Sequence, residues 1–275
     1  MTFKLPSTLL EECYSNEIET QAKAIMKLEE LEAYQAVPVL MELLASPEYN
    51  IRMLAVEALG CLGEEKVDRV GPALIKMLTD PEELVRAEAV DALARLHHKP
   101  AKQSIINLLR DDSDWLVPAS AAEALPDVAE VGDPEVLAEL ESAMNDTIEP
   151  VCSYAACSIG LLGTPETLPT LRVYLMSEPC LSTKAELLAA RYRLGDRNDL
   201  SRLLQLLDNA QEHLISVVLN ILADLVEREV PESLAADAYR IRASLAKVTQ
   251  YFPSYLNHVG QIIAQLEEVE NSLQI

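Results

Sequence analysis

The chain has little aromatic character and little glycine: 9 Tyr, 2 Phe, 1 Trp and 8 Gly in 275 residues. So little glycine, in a chain where Ala and Leu recur throughout, excludes a β-sandwich or barrel. Bases are scarce as well. Twenty-two Lys and Arg face 45 Asp and Glu, for a formal charge of −23. That sign excludes general binding to nucleic acid, whose phosphate backbone would be repelled. No apolar run approaches the ~18 to 20 residues that span a bilayer, so no membrane partner is expected. The phosphate-binding and nucleophile signatures Gly-x-x-x-x-Gly-Lys-Ser/Thr, Gly-x-Gly-x-x-Gly and Gly-x-Ser-x-Gly do not occur. What is plentiful is apolar: 49% of residues are hydrophobic, too many for a disordered acidic tail.

Five cysteines, Cys13, Cys61, Cys152, Cys157 and Cys180, make an odd number with no Cys-x-x-Cys pair. The spacing of Cys152 and Cys157 suits neither a zinc knuckle nor a redox motif. Free, mostly buried thiols in a reducing cytosol are the expectation. Cys61 and Cys157 fall inside helices as small core residues. Cys13 and Cys180 fall in less regular segments and are expected to be more exposed. No apolar h-region follows Met-Thr-Phe-Lys, which also points to a cytoplasmic chain. His97 and His98 are adjacent and diverge on a helix, so they cannot ligate one ion. They sit at a helix C-terminus, where the dipole favours imidazolium. Neither a metal nor a cofactor is expected.

The chain repeats itself. Ile51 to Gly63 reads IRMLAVEALGCLG, and Val85 to His97 reads VRAEAVDALARLH. Further copies are VCSYAACSIGLLG from Val151, VPASAAEALPDVA from Val117, TKAELLAARYRLG ending at Gly195 and TQAKAIMKLEEL from Thr20. The closing apolar residues fall at Leu28, Leu62, Leu96, Val128, Leu162 and Leu194, in steps of 34, 34, 32, 34 and 32. A second template alternates with the first: VPVLMELL at Val37, GPALIKML at Gly71 and LPTLRVYL at Leu168. Apolar residues at three and four predict amphipathic helices in both. Proline near the start of the second helix is tolerated there, and Gly63, Gly163 and Gly195 are placed to close helices in the left-handed region. Each unit is then a helix pair that must stack on its neighbours to bury its apolar face. Pro126 falls late in the fourth unit's first helix and is expected to end or kink it.

After residue 230 the pattern changes. Pro231 to Gln250 carries Leu234, Ala238, Ile241, Leu245 and Val248 on one face, and Ser254 to Leu273 carries Leu256, Val259, Ile263, Leu266 and Val269. Residues 1–230 read as the repeat array and 231–275 as a helical cap that hides its last apolar face.

These units resemble HEAT repeats, in particular the short variety of the phycobilisome-lyase-like group. Its units look like D-P-x-x-x-V-R-x-x-A-x-x-A-L-G-x-L-G, and this chain has DPEELVRAEAVDAL from Asp80. The Arg of the Val-Arg dipeptide falls at Arg52 and Arg86 but is replaced by Pro118 in the fourth unit. The resemblance implies an all-α, right-handed α-α superhelix of about six to seven helix pairs. It implies no single function: such repeats serve scaffolds, inhibitors and bilin-lyase subunits or chaperones acting on phycobiliproteins. Few and scattered aromatics argue against a tetrapyrrole pocket, and a small-molecule ligand is not expected.

Charge is distributed unevenly. Between Arg110 and Arg172 there is no Lys or Arg, while that stretch holds 13 acids. A solvated surface accounts for it blandly; a docking field for a basic protein accounts for it functionally. On the second account the concave face and adjoining loops of units three to five bind the partner. Asp111, Asp112, Asp114, Trp115, Asp133, Glu135, Glu139 and Asp146 are the candidates. Trp115, the only tryptophan, is either a staple at a helix entry or a partner anchor. Arg191, Arg193, Arg197 and Arg202 follow the acidic block and either pair within the chain or give the rod a change of sign. A non-catalytic module follows, one concrete version being an immunity protein for a cationic toxin.

Overall fold

The computed structural model describes residues 7–178, 180–208, 211–228 and 231–272, and among these there are helices and turns but no strand. The helices are α1 (Ser7–Glu12), α2 (Ile18–Glu30), α3 (Val37–Leu43), α4 (Tyr49–Leu62), α5 (Val67–Met77), α6 (Glu83–Arg95), α7 (Lys102–Asp111), α8 (Leu116–Val128), α9 (Pro134–Ala143), α10 (Glu149–Leu162), α11 (Leu168–Ser177), α12 (Leu181–Arg193), α13 (Asn198–Gln205), α14 (Glu212–Arg228), α15 (Pro231–Tyr251) and α16 (Leu256–Ser272). The chain divides into two compact units, residues 1–155 and 156–275, with the division inside α10.

In the first unit α2, α4, α6 and α8 pack side by side as one layer, and α3, α5 and α7 each pack beneath the helix that follows them. The layer is close because its contact residues are small. Ala55, Ala58, Ala89, Ala92, Ala121 and Ala122 are buried, so adjacent backbones approach while Leu59, Leu93 and Leu125 fill the interior. In the second unit α12 packs on α11, α13 and α14, and α16 packs on α14 and α15. Leu234, Ala238, Ile241, Leu245 and Val248 are all buried on α15. On α16 the buried residues are Val259, Ile262 and Leu266. Leu256 is instead exposed at the helix start, and Leu273 lies outside the described residues, as do 229 and 230 at the array–cap boundary.

Helix ends correct several expectations. Gly195 has φ 108°, but Gly63 has φ −89° and sits in the right-handed region. Glycine at position 63 answers a close approach: a Cβ there would strike the Leu59 carbonyl and lie 2.9 Å from Val70 Cγ1. The left-handed closing residues are Glu32 (φ 48°), His97 (φ 47°) and Gly195. Each ends its helix with the same pair of bonds. Ala33, His98 and Asp196 N–H donate to the carbonyls of Leu28, Leu93 and Arg191, and Glu32, His97 and Gly195 N–H donate to Glu29, Ala94 and Tyr192. By this geometry Leu31, not Leu28, matches Leu96 and Leu194, so the first copy is shifted by about one helical turn.

Pro126 does not end α8, which runs two residues further and closes at Val128 with Ala129 extended. Proline there removes the bond to the carbonyl four residues earlier, and the helix nevertheless continues for its last two residues. Pro72 lies inside α5 rather than at its start, because Val67 begins the helix. Pro38, Pro134 and Pro169 do occupy first-turn positions.

Candidate functional site

Consecutive repeats are stitched by one recurring contact. Arg52 on α4 donates from Nε and Nη2 to the two oxygens of Asp80, at 2.7 and 2.8 Å. Its Nη1 donates to the carbonyls of Ser46 and Pro47 at 2.9 and 3.1 Å. Arg86 on α6 repeats the pattern with Asp112, at 2.8 Å for both bonds, and with the carbonyls of Asp80 and Pro81 at 2.9 and 3.2 Å. Each carboxylate also accepts the N–H two residues on, from Glu82 or Asp114, at 3.0 Å. Burial alone would raise the Asp80 and Asp112 carboxyls. The guanidinium and backbone donors outweigh it and hold both below the ordinary carboxylate range.

This ladder changes the meaning of the acidic block. Bases that precede the block in sequence reach into it across the repeat. Besides Arg86 with Asp112, Lys102 pairs with Asp133 at 2.7 Å, Lys99 with Glu130 and Arg110 with Glu139. Asp133 also caps α9 through Glu135 and Val136 N–H, and Lys102 together with these donors lowers its carboxyl. The block is therefore not unscreened, because residues about one repeat apart in sequence are neighbours in space.

Of the eight predicted residues, Asp112, Asp114, Trp115 and Asp146 come together around one notch of about 330 Å³, which Pro118 and Val151 also line. Asp114 accepts Leu116 N–H at 3.0 Å at the start of α8, and Asp146 accepts Ile148 N–H at 2.8 Å at the start of α10. Neither forms an ion pair among the described residues. Trp115 is 50% exposed, so it is no buried staple. Asp111, at the end of α7, and Glu135, on α9, are exposed and stand apart from the notch. Asp133 and Glu139 belong to the ion pairs just described and lie with Glu135 in the other helix layer.

The basic cluster of the second unit is consumed internally. Arg191 is buried against Asp199 at 2.6 Å and Asp196 at 2.5 Å, Arg193 pairs with Asp224, and Arg202 reaches Asp199 at 2.7 Å. Arg197 lies over the Tyr192 ring, 4.8 Å from its centroid. The cysteine expectations partly invert: Cys13 is fully buried and Cys61 exposed. Burial, with a hydrogen bond to Glu29, pushes the Cys61 thiol up to about 11; burial pushes Cys157 up to about 12. These thiols stay protonated near neutrality. Burial also lowers His98, whose ring presses on Gly71, against the expectation of an imidazolium favoured by the helix dipole.

A feature invisible in the base-free block lies on the α2–α4–α6 layer. Burial, then the neighbouring Asp91, Glu57 and Glu29, push the Glu88 carboxyl up to about 7, against the opposing charge of Arg95. Glu29, Glu57 and Glu88 lie on the successive helices α2, α4 and α6; of these positions, the repeat alignment matches Glu57 with Asp91, an acid at the same place in two copies. In the second unit a cavity of about 500 Å³ is lined by Leu207, Asp208, Ser244, Lys247, Tyr251 and Phe252, with Lys247 paired to Asp208 at 3.0 Å. No three His, Cys, Asp or Glu side chains converge as a metal site among the described residues, and no described helix is long and apolar enough to cross a membrane.

Paired helices stacked through an Arg–Asp ladder define an α-α repeat protein. The family profile of HEAT repeats matches residues 6–70 and 71–158, more than half of the chain, and the chain belongs to that family. Among solved structures, YibA of Escherichia coli is similar at 16% identity over 95% of this chain and 92% of its own, with a TM-score of 0.55. The complex of CpcE and CpcF of phycocyanin lyase from Nostoc sp. is similar at 19% identity over 98% of this chain and 96% of that one, with a TM-score of 0.49. No curated protein sequence matches the chain.

Proposed function

We propose that this HEAT-repeat chain is a non-catalytic docking module for a protein that presents basic side chains, and that the partner seats on the edge formed by the turns before α8 and α10. The observation that carries this is the notch itself: Asp114 and Asp146, which enter no ion pair among the described residues, beside an exposed Trp115. An exposed tryptophan next to carboxylates outside the ion-pair ladder supplies an anchor and an orienting field at one place. Asp133 and Glu139 have a different part, holding α7 to α9, and are not in the docking set. An immunity protein that neutralises a cationic toxin is one concrete form of this function. Residues 1–230 act as the array and 231–275 as its cap, a division supported by the packing of α16 on α14 and α15.

The test is a titration of the full chain with blocked basic peptides and with acidic peptides of equal length, at low and high salt. Basic peptides are expected to bind and to weaken as salt rises. Binding that ignores peptide charge, or no binding to basic peptides, contradicts the proposal.

A further inference from the structure

The ladder has two complete rungs and a third that is built but lacks its guanidinium. Arg52 and Arg86 occupy equivalent positions on α4 and α6, each following the first buried apolar residue, Ile51 or Val85. The equivalent on α8, after buried Val117, is Pro118. The turn of the rung keeps its form, with Asp146 exposed where Asp80 and Asp112 are covered by their arginines. Asp146 stands where Asp80 and Asp112 stand, and it accepts the N–H two residues ahead just as they do, at 2.8 Å against 3.0 and 3.0 Å. In the complete rungs the guanidinium lies between two successive turns, with the carbonyls of one turn and the carboxylate of the next as acceptors. Between the turns that hold Asp112 and Asp146 lies the 330 Å³ notch, and Pro118, too short to fill it and without a donor, lies on its wall.

We infer that this notch receives an arginine side chain from the partner protein, which completes the rung in trans. The inference rests on the docking function proposed above and names its chemistry. Asp146 accepts the fork of the guanidinium, as Asp80 and Asp112 do within the chain; the turn carbonyls of Asp112 and Ser113 offer the remaining acceptors, and the Trp115 ring flanks the planar group. Lysine fits less well, because a point charge cannot satisfy two carboxylate oxygens and the turn carbonyls together. An arginine within a chain fits better than free arginine. The α-carboxylate of the free amino acid would meet Asp114 and Asp146, with Arg86 already committed to both oxygens of Asp112.

The experiment follows Trp115 fluorescence of the full chain during titration with a blocked arginine peptide, the same peptide with lysine, and free arginine. Two variants accompany the wild type: Asp146→Asn, and Pro118→Arg, which supplies the guanidinium from within. Circular dichroism checks that both are folded. The arginine peptide is expected to bind roughly tenfold more tightly than its lysine counterpart. Both variants are expected to lose that advantage, and free arginine to bind least. Equal binding of arginine and lysine peptides, or an unaltered preference in folded Pro118→Arg, overturns the rung while leaving a basic partner in place. Failure of both peptides at low salt overturns the rung and the docking function together.

Discussion

Arg86 and Asp112 meet edge to edge, with two bonds of 2.8 Å, and only 14% and 6% of their side chains are exposed. A helix of one repeat is thereby fastened to the turn that opens the next. Removing the guanidinium leaves a mostly buried carboxylate without its partner. Arg86→Ala is expected to destabilise the protein by about 2–3 kcal/mol, read from the urea midpoint, with Arg86→Lys intermediate because the fork is lost but the charge kept.

The same contact sets an acid limit. The folded carboxyls of Asp80 and Asp112 lie below their ordinary value of 3.8. Their contribution is complete above that value and is lost as pH falls through the lower folded one. Wild-type stability is expected to drop in that acid window. The Asp112→Asn variant, measured over the same range, is expected to show a shallower fall.

Glu88 works in the opposite sense. Its folded carboxyl is raised to about 7 from 4.5, so the folded state holds a proton that the unfolded state releases. Stability therefore declines as pH rises from about 4.5 to about 7 through this group. Glu88→Gln is expected to flatten that part of the pH profile and to stabilise the protein at pH 8, roughly by 1 kcal/mol after allowance for partial exposure.

Glycine and its substitutes at helix ends give a paired prediction. Gly63→Ala forces a methyl onto Val70 and the Leu59 carbonyl and is expected to destabilise by about 1–3 kcal/mol. His97→Gly relieves an L-residue held at φ 47° and is expected to be neutral or to stabilise by up to about 1 kcal/mol. Thermal midpoints of the two variants would be compared with wild type.

Much of the fold was legible because burial follows the helical period: the Ala and Leu positions of α4, α6 and α8, and the five apolar residues of α15, are core. The register of the first copy was not, because its end is set by the left-handed turn at Glu32 rather than by where an apolar residue falls. Counting charge along the chain placed Asp112, Asp133 and Glu139 in an unscreened block. Their partners Arg86, Lys102 and Arg110 lie about one repeat earlier, outside any local window. The recurrence of a Val-Arg or Ile-Arg dipeptide at Arg52 and Arg86, each with an Asp about one repeat further on at Asp80 and Asp112, was the signal that would have found the ladder, and with it the interruption at Pro118.

The central claim, that a basic partner docks at the notch rather than on the acidic surface at large, is tested most directly by two double variants that remove equal charge. Affinity for the blocked arginine peptide would be measured for Asp114→Asn/Asp146→Asn and for Glu130→Gln/Glu139→Gln. The first pair is expected to weaken binding by roughly tenfold or more, and the second, whose carboxylates already face Lys99 and Arg110, to change it little. Equal losses in the two variants would contradict the account.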